Sequence, residues 1–193
     1  EYMAEFLKGE DTEAGTGTGV PDPRLTRLYA PVPRGPQVGQ VVGVQQGATN
    51  VTAPPELSEF GPGLLRGPAQ VSYFFSAAES YFLQSEAALK GLISGNAKGL
   101  FQSGIAAAFQ MVGAGDATTY IEASNGANKI GWDGSSNKLE AIMTQKWIAL
   151  TGVNAIESFI DANRTGFPNT PLSIIAEKPT RPFRLLYPAS EYS

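Results

Sequence analysis

The side chains available for chemistry in this sequence are a restricted set. Its 193 residues contain no His and no Cys, which excludes a Ser-His-Asp triad, a thiol nucleophile, a disulfide, and any zinc or iron site built on imidazole or thiolate. Carboxylate, Lys, Tyr and Ser/Thr groups remain. Toward the C-terminus, Glu140, Glu157 and Asp161 are the carboxylates that could imitate a glycosidase pair. That chemistry needs two carboxyls roughly 5–9.5 Å apart across a sugar. Nothing in their spacing sets such a distance, and Glu140 and Glu157 each stand three residues after an Asn, where helix capping accounts for them.

A second constellation surrounds Trp132, the single large aromatic of a polar, glycine-rich stretch over residues 125–137. Tyr120, Asn125, Asn128, Trp132 and Asp133 could form a sugar platform. The flat indole would stack on the apolar face of a pyranose, and the amides and carboxylate would orient its hydroxyls. The alternative is that Trp132 anchors its loop over the helices, the commoner fate of a large aromatic. Trp147 falls on an apolar stripe with Ile142 and Met143 and is expected in the core. Glu79 and Glu86 lie almost two helical turns apart, either to accept a bond from a neighbouring helix N-terminus or to face water. Arg164, just past a helix end, is expected to pair with a helix carboxylate or terminal carbonyls. The run Gly15-Thr16-Gly17-Thr18-Gly19 matches a phosphate-cradling loop in glycine content alone, since no strand, Lys or helix frames it.

The elements that would position these residues divide the chain in two. Residues 1–72 hold half of the 22 Gly and nine of the 14 Pro, so this third reads as ordered loop packing on the rest. Residues 1–8 read as the end of a helix, and residues 37–44 as a short strand weakened by two Gly. From Tyr73 the texture is helical: one helix to about Leu92, a second from an Asn96 cap to Gly113, and a short third over about residues 117–123. A fourth opens at Asn137 with Leu139, Ile142, Met143, Trp147 and Leu150 on one face. A fifth opens at Asn154, carries Ile156, Phe159 and Ile160, and ends near Gly166. Five prolines from Pro168 onward make the tail extended. Two antiparallel helical hairpins of this length invite comparison with tetratricopeptide repeats, with a plain helical bundle as the alternative. The expected class is mostly α, with residues 73–193 as one helical region of a larger domain.

Apolar residues make up 42% and charged residues 17%, the composition of a chain that folds. The formal charge of -4 without any basic run argues against nucleic acid as partner. No stretch approaches the ~20 apolar residues that span a bilayer.

Several blocks then resemble one family in order. Residues 72–91, SYFFSAAESYFLQSEAALKG, are similar to a recurring SusD/RagB helix, and residues 138–152, KLEAIMTQKWIALTG, resemble its "qkwial" signature closely. Asp22-Pro23-Arg24-Leu25 resembles its "DPRl" segment, residues 100–105 its "ly..gI" helix, and Asn163-Arg164-Thr165-Gly166-Phe167-Pro168 its "RRtgyP". Arg184-Leu185-Leu186-Tyr187-Pro188 with Glu191 and Tyr192 stands for its terminal motif, without the final Asn. Phe159 replaces a common Trp, and Ala162-Asn163 interrupts an arginine-rich run. The resemblance implies a helical, tetratricopeptide-like fold of which this is the C-terminal part. It also implies a lipoprotein at the extracellular face of an outer membrane, anchored through a Cys outside this sequence. Such proteins capture glycans, or in some members peptides, without cofactor or catalysis, and pass them to a TonB-dependent, SusC-like transporter barrel. A helical scaffold for peptide or protein ligands is the alternative reading.

Overall fold

A computed structural model describes residues 1–10, 17–49, 53–184 and 189–192. The helices are α1 (Tyr2–Lys8), α2 (Leu25–Leu28), α3 (Ala77–Leu89), α4 (Ala97–Val112), α5 (Thr118–Ser124), α6 (Lys138–Leu150) and α7 (Ala155–Thr165). Short 3-10 turns cover Pro54–Glu56 and Ala189–Tyr192. The described residues contain no strand, and one isolated bridge joins Tyr29 to Phe60. Residues 37–44 accordingly form turns and extended chain. They make scattered backbone bonds rather than a ladder: the Ser58 amide donates to Val42 O at 2.9 Å and the Glu1 ammonium to Val44 O at 3.3 Å.

Capping chemistry sets where the helices start. Asn96, Asn137 and Asn154 each accept a backbone N–H of the following first turn with the side-chain oxygen. Each would otherwise leave an orphan donor. Helix α3 begins later than residue 73, because Ser76 Oγ takes the Glu79 N–H at 3.1 Å and its own backbone is extended. Tyr73, Phe74 and Phe75 therefore lie outside the helix and are exposed. The S-x-x-E spacing of Ser76 and Glu79 was the available signal.

Helices α3 and α4 form an antiparallel hairpin. Ser85 Oγ donates to Ala97 O at 2.8 Å, while Phe82 meets Phe101 with ring centroids 6.1 Å apart. Gly104 sits under Phe82, where an added Cβ would lie 2.7 Å from the ring. Helices α6 and α7 also run antiparallel, since Lys146 pairs with Asp161 and Met143 lies beside Arg164. The mostly helical architecture with hairpins is the one expected from the sequence.

Helix α6 is buried on nearly every side, from Ala141 to Leu150 except Trp147. One face was expected to be apolar; in fact Thr144, Gln145 and Lys146 are interior too. Trp147 is half-buried and turns away from the main hairpin core to meet Tyr2 and Phe6 of α1 at 5.9 and 5.6 Å. Phe6, Leu7 and Leu28 join Val112, Ile130 and Ile148 in a second apolar cluster, so the N-terminal segment is packed on α4 and α6. Helix α7 buries only Asp161, and its Ile156 and Ile160 are 59% and 45% exposed. The terminal Leu185–Pro188 motif and residues 11–16 of the glycine-rich run lie outside the described residues.

Candidate functional site

The loop between α5 and α6 is folded back on itself. The Gly134 amide donates to Asn125 O at 2.8 Å and the Gly131 amide to Ala127 O at 3.0 Å. A Cβ at Gly131 would sit 1.9 Å from Ser124 O, so only glycine permits this approach. Lys138, the first residue of α6, donates from Nζ to Trp132 O at 2.5 Å and to Ser135 O at 2.7 Å. One ammonium thus gathers carbonyls of the same loop.

On the outer side of this loop, Asn125 Nδ2 donates to Asp133 Oδ2 at 2.8 Å, and Lys98 Nζ reaches the same oxygen at 2.7 Å. The Lys98 and Asn125 hydrogen bonds hold the Asp133 carboxyl below its ordinary range, so it is an anion at neutral pH. Lys98 comes from the first turn of α4, and no local pattern marked it as a partner. Trp132 is half-buried, its ring 5.5 Å from that of Phe101 at 51°. It anchors the loop to the α3–α4 core while part of the ring stays open. Asn128 is exposed on the same loop.

Tyr120 is separated from this group. It is 4% exposed, its hydroxyl accepts from Gln145 Nε2 at 3.1 Å, and its ring packs on Phe109. Burial pushes its phenol pKa up. It offers no face to a ligand, and the five-residue platform reduces to Trp132, Asn125, Asn128 and Asp133. The periodicity of a seven-residue helix could not show which side of α5 meets α6.

Two ionic groups assemble in or beside the interior, and of their pairings only that of Arg164 with a helix carboxylate was expected from the sequence. Asp22 binds Arg24 through both carboxylate oxygens, at 2.6 Å for the Nη2–Oδ2 pair. Arg24 lies over the rings of Phe109 and Tyr120 at 5.0 and 5.4 Å. At the α3–α6–α7 junction, Arg164 bridges Glu86 and Asp161, Lys146 closes on Asp161 at 2.8 Å, and Lys90 closes on Glu86 at 2.6 Å. Glu86 and Arg164 thus find ion partners rather than water, as expected for Arg164. Asp161 has its oxygens divided between two cations and is 5% exposed, which removes it from any glycosidase pairing. Among the described residues no group of three or more acidic side chains is placed to hold a metal ion.

Comparisons with known proteins agree with this architecture. A SusD homologue from Bacteroides vulgatus ATCC 8482 superposes with a TM-score of 0.67 at 26% identity, over 87% of this chain and 37% of that one. A chitin-binding protein gives 0.67 at 28%, over 88% of this chain and 40% of its own. A SusD homologue from Bacteroides fragilis NCTC 9343, at 24% identity and a TM-score of 0.66, shares the fold, over 89% of this chain and 42% of its own. The chain thus spans about two fifths of the length of these structures. Comparison with curated proteins finds no match. Residues 17–188 match the SusD-like family described as starch-binding and associating with the outer membrane, and the chain belongs to that family.

Proposed function

We propose that this chain forms part of a cell-surface protein that captures glycan and passes it, uncleaved, to a TonB-dependent SusC-like transporter. The observation that carries the reading is the family match over residues 17–188, described as starch-binding and associating with the outer membrane. The chitin-binding neighbour adds a second polysaccharide binder of the same fold. Trp132 with Asn125, Asn128 and Asp133 is the proposed contact surface, an open aromatic edge beside anchored hydrogen-bonding groups. Attachment would be through a lipid anchor upstream, and no helix among the described residues is long and apolar enough to cross a membrane. Residues 1–72 would serve as a packed loop segment and residues 73–193 as the helical region of one unit. Capture by hydrogen bonds and stacking requires no cofactor.

The reading is tested by native electrophoresis through gels loaded with soluble starch, glycol chitin or polygalacturonate, each gel assayed for new reducing ends. Retardation in at least one polymer without cleavage supports capture. Reducing ends that vanish in Glu140→Gln would replace it with hydrolysis. A second reading, a scaffold for peptide or protein ligands, draws on the exposed Ile156 and Ile160 of α7; it gains if no polymer retards the protein.

A further inference from the structure

At the end of α4 away from the Trp132 loop, two adjoining hollows of about 460 and 290 Å³ share Arg66, Tyr73 and Met111. Lys98 and Met111 stand at opposite ends of α4, about 20 Å apart along its axis. The floor is the last turn of α4, whose terminal carbonyls are claimed by two arginines. Arg27 Nε donates to Val112 O at 3.0 Å, and Arg66 donates to Met111 O. Each supplies a donor to a carbonyl that the helix leaves unpaired and a charge suited to its dipole. Arg66 is thereby held in place at the junction of the two hollows.

The walls combine the groups that recognise sugars. Tyr73 is 40% and Phe75 52% exposed on the bent, non-helical chain before Ser76, giving flat apolar faces. Gln70 Oε1 accepts the Arg66 amide at 2.7 Å, which turns the remaining Gln70 NH2 into an available donor pair. A guanidinium carries five donors, of which Met111 takes one, so Arg66 retains donors for an oxygen-rich ligand. Among the described residues Arg66 is the only charged one lining either hollow, and none of their carboxylates lines them. Phe74, between Tyr73 and Phe75, is 96% exposed yet lines neither hollow.

We propose that this cleft is a second saccharide subsite, in which Tyr73 or Phe75 stacks on a sugar ring and Arg66 with Gln70 bonds its hydroxyl or carboxylate oxygens. The assignment rests on the glycan-capture reading and adds a ligand class to it: polymers of neutral or uronic-acid sugars, whose hydroxyl or carboxylate oxygens the guanidinium can pair with. An apolar docking face would make a different demand, because Phe74 would then be its principal contact.

The test is affinity electrophoresis of the wild-type chain and of Tyr73→Ala, Phe75→Ala, Arg66→Gln and Phe74→Ala in soluble starch, glycol chitin, polygalacturonate and glycol chitosan, with thermal unfolding of each. The expected result is retardation in at least one of the first three polymers. Glycol chitosan, a polycation that attracts a chain of formal charge -4 wherever it touches, serves as the control for charge alone, and its effect is unchanged by the aromatic truncations. At least one of the aromatic truncations, together with Arg66→Gln, should weaken the retardation in the first three about five- to tenfold, while Phe74→Ala leaves it unchanged. Because Tyr73 and Phe75 lie outside the helices, their truncations separate binding from folding even if Arg66→Gln loosens α4. Wild-type retardation in those three polymers that Tyr73→Ala, Phe75→Ala and Arg66→Gln all leave intact overturns the subsite alone. Loss in Phe74→Ala equal to that in Tyr73→Ala overturns it in favour of an apolar docking face. Absence of wild-type retardation in starch, glycol chitin and polygalacturonate overturns the capture reading and the subsite with it.

Discussion

Arg24 and Gln145, 121 residues apart in the chain, are hydrogen-bonded in the interior at 2.7 Å from Nη2 to Oε1. Through this bond the loop that follows the glycine-rich run is fastened to the middle of α6. Gln145 completes the arrangement by donating to Tyr120 and to Ile130 O, the latter at 3.0 Å. The other terminal nitrogen of Arg24, Nη1, is buried with no hydrogen-bond partner among the described residues. The ion pair with Asp22 and the two aromatic faces offset the cost of keeping this cation out of water.

Removing the guanidinium should therefore be severe. Arg24→Ala leaves Asp22 buried and unpaired and is expected to cost about 3–5 kcal/mol. Gln145→Ala should cost about 1–3 kcal/mol through the groups it strands. Urea denaturation of both variants and their double checks this, the double costing less than the sum because the residues share one network.

Acid should loosen the α3–α7 contact first. The Arg164 hydrogen bonds, with help from Lys90 and against the opposing effect of burial, lower the Glu86 pKa from 4.5 to about 2. A depressed carboxyl stabilises the fold fully above its unfolded pKa and loses that contribution as pH falls from about 4.5 to 2. Allowing for the partial exposure of Arg164, the contribution is about 2 kcal/mol. Burial shifts Glu79 the other way, so its share is lost as pH rises through its raised pKa. Urea midpoints measured against pH should show an acid limb that flattens in Glu86→Gln.

Gly104 of α4 leaves room for the Phe82 ring of α3. An added Cβ 2.7 Å from the Phe82 ring must displace a side chain that has no exposed surface. Gly104→Ala is expected to destabilise by about 1–3 kcal/mol from overpacking, less the roughly 1 kcal/mol that alanine gains in a helix. A lowered melting temperature in circular dichroism would show the net loss, and Gly104→Ala with Phe82→Leu should recover part of it.

Trp132 carries an anchoring role that is separable from ligand contact. Trp132→Ala should cost about 1–2 kcal/mol, less than a fully buried indole, because the side chain is only partly buried. Trp132→Phe should restore most of the stability by refilling the contact with Phe101. If Trp132 also stacks on glycan, Trp132→Phe retains polymer retardation in affinity gels while Trp132→Ala loses it.

The sequence by itself determined the helical class, the hairpins and the helix starts at Asn96, Asn137 and Asn154, because a cap bonds within its own first turn and its signal is local. It also marked the family, since the matching blocks are contiguous. It did not reveal that α6 is central: nothing local to Gln145 and Lys146 announces that Arg24, Tyr120 and Asp161 are brought against them in the interior. Lys98 joined Asp133, Arg164 joined Glu86 and Tyr120 left the proposed platform for the same reason. Partners from 15 residues away (Lys146 and Asp161) to 121 (Arg24 and Gln145) are chosen by how helices pack, and hydrophobic period reports only that a face is covered, never by what. Tertiary structure alone decided which polar side chains are held inside and which are left at the surface to meet a ligand.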